Sequence, residues 1–364
     1  MTTTDPQPGR AETDDCPGDL VRVDPAEPGL TRRRRGRGFS YHDATGAVIT
    51  DPAEVRRLKA LVIPPAWQDV WISPDPLGHI QALGTDAAGR RQYRYHEEWR
   101  KARDVVKHDR VLTLGERLAD VRIEIIRRLG EPGLGRDRVL AAAVRMLDIG
   151  VFRAGGEQYA PSDDDEDGTF GLATLRREHV QLKRGAVLFS YPAKGNIPRQ
   201  LVLRDPLLHQ VINSLLRRRG GGEELLAYKD RREWYDVRTA DLNGAVKELA
   251  GEQYTCKDLR TWNATVLAAV TLAASTADTG VPGSARARKK LVNGAIKEVS
   301  EHLGNTPTVA RSSYVDPRVV QRFEEGRTVL AALRAMSGPD ADGVPADDVS
   351  RAEMEQAVVK LIKG

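Results

Sequence analysis

Val187-Leu188-Phe189-Ser190-Tyr191, followed by Pro192-Ala193-Lys194-Gly195-Asn196 and then Gln200-Leu201-Val202-Leu203, reads as two apolar strands joined by a turn. The stretch decides the fold because its flanks are helical. Upstream, helical patterns run over 99–129, where Leu118, Val121, Ile125 and Leu129 recur at helical spacing, and over 136–149. Downstream, the same periodicity predicts helices over 206–216, 239–249, 258–274, 285–303 and 318–336. This half of the chain is therefore mainly helical, with one embedded hairpin region.

Further toward the amino terminus the pattern changes to short strands and turns. Phe39-Ser40-Tyr41 and Val48-Ile49-Thr50 flank a turn at Gly46, and Asp51-Pro52 reads as the capped start of a short helix that Pro64-Pro65 ends. Strands follow from Trp67 to Ile72 and from Gly78 to Leu83, and Arg91-Gln92-Tyr93-Arg94-Tyr95-His96 alternates as a half-exposed strand does. The expected class is α+β. A β-rich domain occupies 31–100 and a mainly helical one 101–337, with a linker over 338–350 and a terminal helix over 351–364. Residues 1–30, rich in Asp, Pro, Gly and Thr, read as an acidic tail without fixed structure.

The 364 residues suffice for two ordinary domains with cores of their own. Hydrophobic residues make up 40% and charged residues 30%, the balance of a soluble globular protein. Two cysteines cannot staple a chain of this size, which favours a reducing compartment. Neither a basic-then-apolar leader nor an apolar run of about 20 residues is present, so membrane association is not expected.

Net charge is only +4, but it is unevenly placed. The acidic residues concentrate in 1–30, Asp163-Asp164-Asp165-Glu166-Asp167 and 338–349, leaving the rest strongly basic, as suits a polyanionic partner. Arg32-Arg33-Arg34-Arg35-Gly36-Arg37 reads either as a phosphate-contacting patch or as a solvated linker. Tyr93 and Tyr95 fit either a nucleic-acid groove or the packed face of a sheet.

Phosphate-binding loops of the ATPase kind, calcium-loop spacing and zinc spacing are all missing. Phosphoryl chemistry would fall to Arg, Lys, Asn and Tyr. Four places supply them: Arg153 beside Gly155-Gly156, Lys194 at the hairpin tip, Lys257 and Arg260 three apart at the start of a helix, and Gly304-Asn305-Thr306-Pro307 leading to Tyr314.

The sequence resembles the type IB DNA topoisomerases, in particular their compact poxvirus-like and bacterial branch. The stretches that carry the likeness are Ile63-Pro64-Pro65-Ala66-Trp67-Gln68-Asp69-Val70-Trp71-Ile72-Ser73-Pro74, Gly78-His79-Ile80-Gln81-Ala82, Gly89-Arg90-Arg91-Gln92-Tyr93-Arg94-Tyr95-His96, Lys257-Asp258-Leu259-Arg260-Thr261-Trp262, and Gly304-Asn305-Thr306-Pro307 before Tyr314. The resemblance implies a β-rich amino-terminal domain and a helical catalytic domain that close as a clamp on duplex DNA. It implies Tyr314 as nucleophile, Arg153 and Arg260 as transition-state stabilisers, Lys194 as general acid, and Asn305 as a donor to a phosphate oxygen at a position that is histidine in viral and eukaryotic members. Gln92, Tyr93 and Tyr95 match DNA-contacting positions. Also implied are a monomer in the cytoplasm at the nucleoid, independence of ATP and of any essential metal, and relaxation of supercoiled DNA. A tyrosine recombinase, sharing the catalytic fold and the covalent intermediate, and a non-catalytic DNA clamp are the competing readings.

Overall fold

The computed structural model describes residues 16–157, 168–336 and 347–364. The chain divides into two compact units, up to Lys107 and from His108 to Gly364. The first holds β1 (Leu30–Arg35), β2 (Gly38–His42), α1 (Pro52–Ala60), β3 (Gln68–Ile72), β4 (Ile80–Thr85) and β5 (Arg91–Tyr95). The strands form one antiparallel sheet in the order β2-β1-β3-β4-β5. Leu30, Tyr41, Leu58, Ile63, Val70, Ile72 and Ala82 fill its core. Asp51 caps α1 by accepting the Ala53 and Glu54 amides, and Pro52 stands in the first turn, where its missing N–H costs nothing.

Three expectations are corrected here. The arginine run is not a linker: Arg32 to Arg35 lie on strand β1, where Arg33, Arg34 and Arg35 are exposed, as the phosphate-contacting reading requires. Arg32 on it turns inward, donating to the carbonyls of Ile63, Pro64 and Trp67 at 2.8, 2.9 and 3.0 Å and lying 4.1 Å from the Phe39 ring centroid. The strand expected at Val48–Thr50 is a single bridge between His42 and Val48. Of the tail, residues 1–15 lie outside the described residues, while Val21 bridges Gly78 and its carbonyl accepts the His79 amide at 2.8 Å.

The helix α2 (Glu97–Leu129) runs through the boundary between the units. The second unit continues with α3 (Arg136–Gly150), β6 (Val180–Lys183), β7 (Ala186–Ala193), β8 (Ile197–Leu203), α4 (Pro206–Leu216), β9 (Ala227–Asp230), β10 (Glu233–Asp236), α5 (Thr239–Ala250) and α6 (Cys256–Ala274). Then come α7 (Ala285–Leu303), α8 (Pro307–Ser313), α9 (Pro317–Glu324), α10 (Leu330–Ala335) and α11 (Asp348–Lys363). The architecture is α+β, as expected: a small β-rich region and a mainly helical one with embedded hairpins. The helix expected over 318–336 is two helices, interrupted at Gly326, whose φ of 83° an L side chain adopts only with strain. The terminal helix begins earlier than read, because Asp347 caps it through the Ser350 amide. The acidic run Asp163–Asp167, expected as a solvated loop, and 338–346 of the linker lie outside the described residues.

α6 is the axis of this unit, buried along nearly its whole length. Its Trp262 presses so closely on α2 that a Cβ on Gly115 would stand 2.3 Å from the indole. α11 is fastened by buried charge. Arg122 makes two-pronged contacts with Asp148 (2.8 and 3.0 Å) and Glu355 (2.7 and 2.8 Å). Arg351 donates to the Asp148 carbonyl and to Asn263, and Arg145 to Asp205 and Asp348. Burial opposes ionisation of Asp148, but the guanidiniums of Arg122, Arg351 and Arg145 overcome it and hold the carboxyl well below the usual range. No helix among the described residues is long and apolar enough to cross a membrane.

Candidate active site

The site begins where α3 ends. Val151 takes a left-handed conformation, φ 50°, unusual for a β-branched residue and a sign of local strain. It turns the chain into the extended run Arg153–Gly156, which is held by backbone bonds from Leu172 to the Arg153 carbonyl and from Ala173 to the Ala154 carbonyl, both 2.8 Å. The glycines permit this approach: a Cβ on Gly171 would stand 2.2 Å from the Gly155 Cα.

Arg260 lies on α6 and is 4% exposed. One guanidinium nitrogen donates to the Val151 carbonyl, the other to the Leu303 carbonyl at 2.9 Å, so one side chain ties the end of α3 to the end of α7. Beyond Leu303, Gly304 closes α7 in the left-handed form (φ 61°), and the backbone N–H of Asn305 donates to the Ser300 carbonyl at 2.8 Å. Arg153 then donates to the Gly304 carbonyl at 2.7 Å and to Asn305 Oδ1. Asn305 Oδ1 is thereby occupied, and its buried Nδ2 donor has no acceptor among the described residues.

Thr306 caps α8 with Pro307 in the first turn, and the helix delivers Tyr314 at its carboxyl end. The Tyr314 amide donates to the Ala310 carbonyl at 3.1 Å. From α6, the Thr265 hydroxyl receives the Asp316 amide at 3.1 Å and lies 3.3 Å from the Tyr314 carbonyl. The phenol ring stands 5.5 Å from the Arg260 guanidinium carbon. Burial pushes Arg260 down to about 10; Arg153 and Arg199 push the same way while the Tyr314 phenol opposes them. Arg153 is likewise depressed, first by burial and then by Arg199. Among the described residues none of these three arginines has a carboxylate partner.

Arg153, Arg260, Asn305 and Tyr314 are thus brought together. Lys194 is not bonded to them. It is exposed at the tip of the β7–β8 hairpin, in a three-residue turn whose Gly195 and Asn196 are both left-handed, and it has no hydrogen bond or ion pair among the described residues. Gln92, Tyr93 and Tyr95 belong to the other unit, on edge strand β5. There Tyr93 and Tyr95 stack at 5.9 Å, and Gln92, on the opposite face by strand alternation, donates to Asp86 at 3.0 Å.

Sequence reading missed Arg199 and Tyr191. They face each other across β7 and β8, and both lie near enough to Arg153 and Arg260 for their charges to interact. The signal was the hairpin register: a three-residue turn after Ala193 pairs 193 with 197 and hence 191 with 199. Burial raises the Tyr191 phenol, against the pull of Arg199, Arg260 and Arg153.

The set is an array of guanidinium and amide donors beside a phenol, equipped to hold a phosphate and attack it. A family profile described as eukaryotic DNA topoisomerase I, catalytic core, matches residues 96–332, and one described as bacterial DNA topoisomerase IB, N-terminal domain, matches 38–86. The chain belongs to the type IB DNA topoisomerase family. It is similar to DNA topoisomerase 1B of Acanthamoeba polyphaga mimivirus, 27% identical over 79% of this chain and 85% of the viral protein. It is also similar to DNA topoisomerase 1B of vaccinia virus, 22% identical over 80% and 88% of the two chains. DNA topoisomerase 1 of Daucus carota is 28% identical over 63% of this chain and 29% of the plant protein.

Proposed function

We propose that the protein relaxes supercoiled duplex DNA by transient cleavage of one strand, with Tyr314 as the nucleophile, and that it acts as a compact enzyme of the poxvirus-like and bacterial branch. The observation that carries this reading is the Arg260 guanidinium against the Tyr314 ring, with Arg153 and Asn305 joined beside it. Near full-length coverage of the two viral relatives, together with the bacterial amino-terminal match, supports the branch.

Negative charge accumulates on the nonbridging oxygens as the phenolic oxygen bonds to phosphorus and the bond to the 5′ oxygen breaks. Arg153 and Arg260 meet those oxygens with fixed donors, and the Asn305 Nδ2 adds a neutral one. The attack requires loss of the phenolic proton, here to solvent, as the oxygen bonds to phosphorus. Lys194, reaching from the hairpin tip, protonates the departing 5′ oxygen. The 3′-phosphotyrosyl link conserves the bond energy and religation reverses each step. Torsional strain in the DNA drives relaxation, so neither ATP nor an essential metal enters the scheme. Gln92, Tyr93 and Tyr95 contact the duplex, and the protein works as a monomer at the nucleoid.

Plasmid relaxation in excess EDTA without ATP, combined with denaturant trapping of a covalent protein–DNA adduct, tests the reading. Relaxation without site-specific rearrangement, and an adduct that Tyr314→Phe abolishes and Tyr191→Phe retains, is the expected result. Rearranged products would point to a recombinase, and a Tyr314→Phe protein that still forms adduct would refute the mechanism.

A further inference from the structure

Resting on that reading, we propose that Arg199 is a third catalytic guanidinium, which donates to the nonbridging oxygens of the scissile phosphate alongside Arg153 and Arg260.

Arg199 is half-buried on β8, and among the described residues its one hydrogen bond runs from Nη2 to the Gly150 carbonyl, at a long 3.4 Å. Its Nε is buried and has no acceptor among the described residues. Its Nη1 points at the turn that carries Asn305, since a Cβ built on Gly304 would stand 3.4 Å from that nitrogen. Arg153 donates to the carbonyl of the same Gly304. Three guanidiniums therefore crowd one turn of backbone without a carboxylate among the described residues to balance them.

The unsatisfied donors make the same point. Arg199 Nε, Arg260 Nε and Asn305 Nδ2 are all buried and lack acceptors among the described residues. A buried donor left without an acceptor is costly, and like charges held together add to that cost. An anion with several acceptor oxygens relieves both at once, and a phosphodiester passing through a more highly charged transition state relieves them most there. Asn305 contributes a donor but no charge. Arg199 supplies charge on that side of the phosphate while keeping all its protons, and the bond changes remain those at Tyr314 and the 5′ oxygen.

The test compares single-turnover adduct formation by the full chain on two short duplexes with one mapped cleavage site. One carries the native phosphodiester there and the other a methylphosphonate, which lacks one charged oxygen. Arg199→Ala is expected to slow cleavage of the phosphodiester about 100-fold, the size of losing one transition-state donor. Arg199→Lys should regain at least about tenfold of that by restoring charge. On the methylphosphonate the Arg199→Ala penalty should shrink below about fivefold. DNA affinity, read in a Tyr314→Phe background, should change little. A rate within threefold of wild type, or an equal penalty on both substrates, overturns the proposal, the second by showing Arg199 to be a mere prop for Gly150. If Arg199→Ala does not fold, Arg199→Gln against Arg199→Lys on the same two duplexes decides in the same way. A wild-type protein that forms no adduct, or a Tyr314→Phe protein that does, defeats the underlying reading and takes this one with it.

Discussion

Arg145 and Arg153 stand on the same stretch of chain and are treated in opposite ways. Arg145 is met by the carboxylates of Asp205 and Asp348, and its neighbours Arg122 and Arg351 share Asp148 and Glu355. Among the described residues Arg153 is met by a backbone carbonyl and an amide oxygen, Arg199 by one carbonyl, and Arg260 by two carbonyls and the Tyr314 phenol. In the first group every buried cation has its anion inside the protein. In the second, neutral oxygens supply the orientation, and no carboxylate among the described residues compensates the charge. A guanidinium fixed in place but not neutralised keeps its attraction for an external anion; one locked to two carboxylates has spent it.

Substitutions on the two sides should therefore separate activity from stability. The largest effect is expected at Arg260→Ala, with single-turnover cleavage falling about 1,000-fold, near 4 kcal/mol. Its stability loss should stay below about 1.5 kcal/mol, because relief of repulsion offsets two lost bonds to carbonyls. A denaturant titration showing a larger loss would break the contrast. Asp148→Asn should do the reverse, costing roughly 3 kcal/mol of unfolding free energy by stranding Arg122 and Arg351. Smaller again is the effect of acid. Because folding lowers the Asp148 pKa, its contribution is complete above the unfolded value of about 4 and is lost as pH falls through the folded one. The stability gap between wild type and Asp148→Asn should therefore narrow below about pH 4, and a gap that stays constant there would remove this carboxylate from the account. The smallest change is expected for Asn305→His, which keeps a donor at the same place. Its cleavage rate should remain within about tenfold of wild type, and a heavier loss would mean that Asn305 is fitted to Arg153 more tightly than a simple donor is.

Local chemistry was readable where it acts over a few residues. Asp51-Pro52 marks a helix start that the structure places there, and helices α4 and α7 have the bounds that their apolar spacing predicts. The strand β1 was hidden because arginine reads as solvent-facing, and only the three carbonyls around Arg32 show why one member points inward. The hairpin β9–β10 was missed because Tyr228, Trp234 and Tyr235 sit among charged residues that mask strand alternation. Arg153, Arg260, Asn305 and Tyr314 were legible through family resemblance, since nothing in their spacing brings residues 153 and 305 together. Arg199 has no motif, and its place follows from strand register and the shape of the Gly304 turn.

The salt links between Arg122 and Glu355 and between Arg145 and Asp348 join positions 233 and 203 residues apart. Contacts of such sequence separation form only after the entropy of closing a very long loop has been met. The left-handed turn at Val151 follows directly on α3, which the Arg145–Asp348 link fastens to α11, so the start of the Arg153 run is anchored to the far end of the chain.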